Sequence, residues 1–282
     1  MLSIELNPAK TETKLKPLIP GDHGAYAMLL VPLVSGFVVG WMHNLAGDVN
    51  FFSFLLLTVA MVATFFAYEP LNVLAKAGIN PSAKHHAQRW LIFYLVIAAV
   101  SGLALLVVWQ RWWLIGLAMI ALMPLGLTLL ARKWRKQRSL PVRLTGIAGL
   151  VVSAPVAYYL ATANLNLTAF GLWIASLAYF GSTLFYVRTW FEAKKAEKQH
   201  KALPDWLKLA TVGYFLISLV LLVVMIVNDI LPAVIWLAYL PLLVKMAMAF
   251  RNPPIHIPIK QIGLLEFGQS FVFALLLILC LR

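Results

Sequence analysis

Six ionisable residues stand at the margins of long apolar stretches of the sequence: His23, Glu69, Arg188, Lys245, Arg251 and Glu266. Their types point to one chemistry. Three cations and an imidazole can hold an anionic group, and two carboxylates can orient the cations through charge-assisted hydrogen bonds. His23 lies in Pro20-Gly-Asp-His-Gly-Ala-Tyr26. There Gly24 permits close backbone approach, and a helix starting at that point presents free N–H groups to an anion. Glu69, in Phe66-Ala-Tyr-Glu-Pro70, and Glu266 are harder to explain as bystanders. Acidic residues gain nothing from the positive-inside rule, and their short side chains reach water poorly. The competing readings are structural: a salt bridge from either glutamate to Arg188, Arg251 or Lys245, a snorkelling Lys245, and an Arg188 that only flanks its span.

Helical spacing groups some of these residues. Glu69, Asn72 and Lys76 share a face if the helix continues through Pro70, and Arg188, Glu192 and Lys195 share another. The sequence has no Walker loop, G-x-G-x-x-G, H-E-x-x-H or C-x-x-C pattern, so nucleotide, zinc-hydrolase and dithiol chemistry are not expected. Its one cysteine, Cys280, excludes an internal disulfide. His85 and His86, with His200 and His256 in other loops, make a weak metal set, and no cofactor or metal is expected. No span carries paired mid-bilayer histidines for haem, or a central Asp or Glu of the kind used by ion pumps.

The elements that must position these residues are membrane helices. Of 282 residues, 62% are apolar and 12% charged, against roughly 45–50% and about 25% in soluble domains. That excludes a soluble globular enzyme, a disordered chain and a secreted disulfide scaffold. The net charge of +13 does not indicate nucleic acid, because the basic residues sit between apolar runs and form no module of their own. Apolar runs of about 20 residues, enough to cross the hydrocarbon core, fall near 25–42, 51–74, 90–109, 112–131, 144–163, 168–187, 209–227, 231–250 and 262–281. They are continuous rather than alternating, which favours helices over a barrel. The expected fold is an all-α, polytopic transmembrane bundle of nine helices. A cytoplasmic segment, residues 1–24, precedes a nine-helix transmembrane domain, residues 25–282.

Charge sets the expected orientation as N-inside and C-outside. This choice places 21 of the 23 Lys and Arg residues on the cytoplasmic side, leaving only Arg111 and Arg282 outside. All ten tryptophans, from Trp41 to Trp236, then lie near span ends, where an amphipathic indole prefers the headgroup level. The first run starts too far into the chain, and is too long, for a cleaved signal peptide. The inner loops are expected to be the longer ones, at 75–89, 132–143 and 188–208. The cluster from Arg132 to Arg143 could attract anionic headgroups, and equally serves as a topology determinant with no specific ligand. The expected location is the bacterial cytoplasmic (inner) membrane.

Two resemblances follow. The segment Pro20-Gly-Asp-His-Gly-Ala-Tyr-Ala-Met-Leu29, with Pro32 one turn later, resembles the opening of the first span in the YwiC-like family of bacterial membrane proteins, and the Arg188-Thr189 segment looks similar too. That resemblance implies a multi-pass membrane protein and brings no reaction with it. Nine helices with an inner N-terminus, and longer inner loops after spans two and six, resemble the UbiA superfamily of intramembrane prenyltransferases. There, aspartate-rich motifs on those two loops hold Mg²⁺ against an isoprenoid diphosphate. Here residues 71–89 contain no Asp or Glu, and Glu192, Glu197 and Asp205 lack the D-x-x-x-D spacing.

The sequence therefore leads to a cytoplasm-facing cavity for an anionic amphipathic ligand, lipid or isoprenoid-like. His23, Arg188, Lys245 and Arg251 would contact it, and Glu69 and Glu266 would orient the cations. A metal-independent UbiA-like transferase, a small-molecule or lipid transporter, and a non-catalytic accessory protein all fit these residues. If one cavity is shared, spans one, two, six and eight should converge on it.

Overall fold

The computed structural model describes residues 16–21, 23–44, 50–76, 78–133, 139–200, 202–251 and 258–282. For residues 23, 129, 132–133, 248–251 and 259–260 it describes the backbone only. The described residues form helices, turns and short connections, with no strand among them. In chain order the helices are α1 (His23–His43), α2 (Phe51–Leu74), α3 (Pro81–Val108), α4 (Trp113–Lys133), α5 (Leu140–Val151), α6 (Ser153–Thr162), α7 (Leu167–Lys198), α8 (Asp205–Val227), α9 (Trp236–Arg251) and α10 (Ile259–Cys280). A single 3₁₀ turn, Ala233–Ile235, leads into α9.

These ten helices make nine passes, because α5 and α6 are one helix interrupted at Val152. Pro155 has no N–H for the carbonyl of Val151, so the hydrogen-bond ladder lapses there. Ladder bonding resumes where the Val156 N–H reaches the Val152 carbonyl at 3.1 Å. Seven passes are long and apolar enough to cross a membrane by themselves, and the remaining two contain shorter apolar helices, Trp113–Thr128 and Ala233–Ala247. The protein is thus a multi-pass helical membrane protein, and its outward apolar side chains, such as Val96 on α3 and Leu216 on α8, are exposed for contact with lipid. Asparagines start three of the helices. Asn50, Asn80 and Asn166 each accept a hydrogen bond from a backbone N–H of the first turn.

The centre of the bundle is α1, α5–α6 and α7. The α2–α3 pair lies against α6, α4 packs on α5, and α8 and α9 pack on α7, while α10 fits between α9 and α1. The α1–α6 contact is the tightest. Gly36 faces the backbone of Ala154, and a Cβ on Gly40 would stand 2.8 Å from the Ala161 Cβ and 3.0 Å from the Tyr158 carbonyl oxygen. Apolar side chains gain little by leaving lipid for one another, so small residues that let backbones approach supply dispersion contact. The Ser153 hydroxyl fastens the same crossing by donating to the Leu29 carbonyl at 2.8 Å.

Two of the expected inner loops are helical. The stretch 75–89 shortens to 75–80, because Asn80 and Pro81 start α3 well before its apolar run. The stretch 188–208 becomes eleven more residues of α7, a turn, and the start of α8 at Asp205. Hydropathy ended span six at residue 187, but Ala193 and Ala196 are buried and Arg188 pairs with Glu192 one turn on, so packing carries the helix past the apolar run. The helix α2 does continue through Pro70, as the Glu69–Asn72 spacing requires, but stops at Leu74, so Lys76 lies beyond it.

Candidate functional site

Among the six candidates the structure joins Lys245 and Glu266. Lys245 lies one turn after Pro241 on α9, and Glu266 lies two turns into α10. The Lys245 Nζ donates to Glu266 Oε1 at 2.7 Å and to Oε2 at 2.8 Å. Both side chains are largely enclosed, 10% and 15% exposed. The ammonium also sits 4.6 Å from the centroid of the Tyr186 ring of α7, where the ring quadrupole favours a cation. Two of its three N–H groups are thus committed to the carboxylate, and an aromatic face meets the same charge.

Aromatic packing holds this seam. Tyr179 of α7 stacks on Phe273 of α10 with centroids 3.9 Å apart, and Tyr239 of α9 donates its hydroxyl to the Ala175 carbonyl of α7 at 2.6 Å. Both contacts lie deeper in the bundle than the ion pair and fix the three helices beneath it. One turn from Glu266, the Gln269 Oε1 is buried with no hydrogen-bond donor among the described residues. The result is a short polar path through an apolar seam, containing a cation, its carboxylate and an acceptor still open.

The other candidates fall elsewhere. Arg188 is two residues past Tyr186, about 200° round the helix, so it faces α8. Its guanidinium lies 3.9 Å from Glu192 and 5.6 Å from the Trp206 ring centroid. Glu69 is on α2, whose packing partners are α3 and α6 rather than α7 or α9. His23 is the first residue of α1 and Arg251 the last of α9, but both side chains lie outside the described residues. Of the cluster at Arg132 to Arg143, only the Arg143 side chain is described, and it is exposed; His256 lies outside the description altogether. Among the described residues, no three His, Cys, Asp or Glu side chains gather as a metal site.

A second polar cluster, at the opposite end of the bundle, has no counterpart in the sequence reading. His43 at the end of α1 places Nδ1 3.2 Å from the Tyr158 hydroxyl of α6 and Nε2 3.0 Å from the Leu281 carbonyl after α10. Asn166, the cap of α7, donates to the same hydroxyl at 3.0 Å. One direction of bonding serves all four groups: Asn166 to Tyr158, Tyr158 to Nδ1, and Nε2–H to Leu281. Four passes are tied by it. A histidine at a span end and a tyrosine inside an apolar run carry no spacing signal, so nothing in the sequence pairs them.

An uncharacterized protein of Haemophilus influenzae is 25% identical over 269 residues, covering 94% of this chain and 98% of that protein. No solved structure matches. The sequence pattern of the YwiC-like protein family matches residues 19–158, from the segment before α1 to the middle of α6. That stretch, which contains the Pro20–Leu29 motif and the α1–α6 crossing, is similar to the YwiC-like family.

Proposed function

We propose that the protein binds the anionic head of an amphipathic molecule at the inner end of the α7–α9–α10 seam, with Lys245 as the cation and Glu266 as its counter-ion in the empty state. The observation that carries this reading is the enclosed Lys245–Glu266 pair beside Tyr186. A buried ion pair is a weak source of stability, since well-packed apolar residues do as well or better. Ionisable groups between membrane helices therefore mark a functional site by default. A ligand anion competes with Glu266 for Lys245, and its apolar tail lies along the lipid-facing helices.

In this reading the N-terminus and the basic helix ends face the cytoplasm, in the bacterial inner membrane. Reporter fusions after Lys136 and Lys198 should read cytoplasmic, and fusions at Gly47 and Arg282 external. Opposite signals would reverse the site's sidedness.

Farnesyl phosphate, an anionic head on an isoprenoid tail, is the probe for binding to the purified protein. Lys245→Met should weaken it at least tenfold, and Glu266→Gln, which removes the competing carboxylate, should tighten it. Binding should survive EDTA, because the site's own cation neutralises the head. Wild-type affinity in Lys245→Met, or a strict Mg²⁺ requirement, would remove this reading. Between transfer and transport, the interruption of α5–α6 in the central layer favours transport, since discontinuous helices line many transporter sites. Release of unchanged farnesyl phosphate across a proteoliposome membrane supports transport, and a covalent product supports a metal-independent, UbiA-like transfer.

A further inference from the structure

The helix α7 is longer than a bilayer requires. Its 32 residues span about 48 Å at 1.5 Å per residue, against a hydrocarbon core of about 30 Å. Counted from Leu167, the hydrocarbon is crossed by about Tyr186, and the helix continues to Lys198. On this extension Arg188, Phe191, Glu192, Lys195 and Lys198 fall on one face, within about 120° of arc. Glu197 falls on the opposite side. Phe191 is 52% exposed about 7.5 Å past Tyr186, at the level of the headgroups. Trp206, the second residue of α8, is 50% exposed, with the Arg188 guanidinium over its ring. Lys195 and Lys198 are exposed, and Lys194 on the flank lies 4.8 Å from the Trp190 ring centroid. Asp205 is answered by Lys208 at 3.0 Å.

We infer that this face of α7, together with the start of α8, is a docking surface for anionic phospholipid headgroups. Of the two exposed aromatic side chains, the Trp206 indole is of the amphipathic kind that settles at headgroup level. Arg188 stands at the base of the headgroup layer, and Lys195 and Lys198 stand just above it on stems long enough to reach back; these cations outnumber the one carboxylate on the face. Anionic lipid attracts each juxtamembrane Lys or Arg, worth about a fivefold change in retention per charge. The surface is separate from the Lys245–Glu266 seam, since Arg188 and Tyr186 point to different sides of α7.

Native mass spectrometry of the purified full chain, with equimolar phosphatidylglycerol and phosphatidylcholine, tests the assignment. The wild type should retain phosphatidylglycerol preferentially, less so as ammonium acetate is raised. Lys195→Gln/Lys198→Gln should lower the phosphatidylglycerol-to-phosphatidylcholine ratio by roughly 25-fold, and Glu192→Gln should raise it about fivefold. These side chains are at the surface, so the variants keep the fold, and unchanged phosphatidylcholine retention confirms that. Equal retention of the two lipids by the wild type overturns the inference. So does a preference that survives the double lysine variant, which would move the lipid site to another basic stretch such as Arg132 to Arg143.

Discussion

Lys245→Met and Glu266→Gln are each expected to destabilise the folded bundle by about 3–5 kcal/mol, while the double variant Lys245→Met/Glu266→Leu stays within about 1 kcal/mol of the wild type. Each single change strands one enclosed group. In Glu266→Gln the Lys245 ammonium loses its counter-charge and keeps only a neutral amide oxygen and the Tyr186 ring; without Lys245, the carboxylate loses both of its short hydrogen bonds. The double change removes both desolvation costs and leaves an apolar seam against Tyr179, Phe273 and Tyr239, where methionine and leucine pack. Reversible unfolding in mixed micelles measures all three variants. Single variants costing under about 1 kcal/mol would show that water already screens the pair. The same variants separate stability from binding. Farnesyl phosphate should recover more of the stability lost in Glu266→Gln than in Lys245→Met, because only the former keeps the cation that the phosphate seeks.

Gly36→Ala is expected to cost about 3 kcal/mol, at the upper end for an overpacked core, and Gly36→Val to prevent the α1–α6 pair from closing. A Cβ at Gly36 meets the Ala154 carbonyl group, which is backbone and cannot rotate aside. Relief requires α1 to move away from α6, and that also stretches the Ser153–Leu29 hydrogen bond and opens the Gly40–Ala161 contact. The control is Gly126→Ala. Gly126 is inside α4 with nothing within 4 Å of its added Cβ, so alanine there should stabilise by roughly 0.5–1 kcal/mol through helix propensity. Thermal unfolding in one detergent compares the two. Equal effects at both glycines would mean that the α1–α6 crossing is looser than its geometry.

Much of the fold is legible in residue order because hydrocarbon thickness imposes a length. The run 51–74 coincides with α2, and the remaining eight runs each fall within one pass or miss it by a few residues. Local polarity also places Asn80-Pro81 and Asn166 at helix starts. Hydropathy fails where a helix leaves the membrane. It stopped span six at residue 187 and began span three at 90, because polar helix formers such as Glu192, Lys195 and Lys84 read as loop when no lipid selects against them. The sequence also gave no sign that the fifth pass is broken at Val152. Pro155 marks the place, but prolines at 32, 70, 124 and 241 lie within single continuous helices.

By itself the sequence determined that this is a helical membrane protein, with nine passes among the described residues, and that Lys245 and Glu266 lie within two turns or so of their helix ends on one side of the bundle. Depth is set by counting residues from a helix end, at 1.5 Å each, and needs no neighbour. Which groups meet at that depth is an azimuthal matter, set by how each helix is turned against the next. Only the tertiary structure paired Lys245 with Glu266, turned Arg188 toward Trp206 and put Glu69 on the α2–α3 side. Only it could join His43 to Tyr158, 115 positions apart. Helix rotation is decided by contacts such as Gly36 on Ala154 and Tyr179 on Phe273. Those contacts depend on side-chain shape across chain-distant surfaces, and hydropathy carries no information about shape.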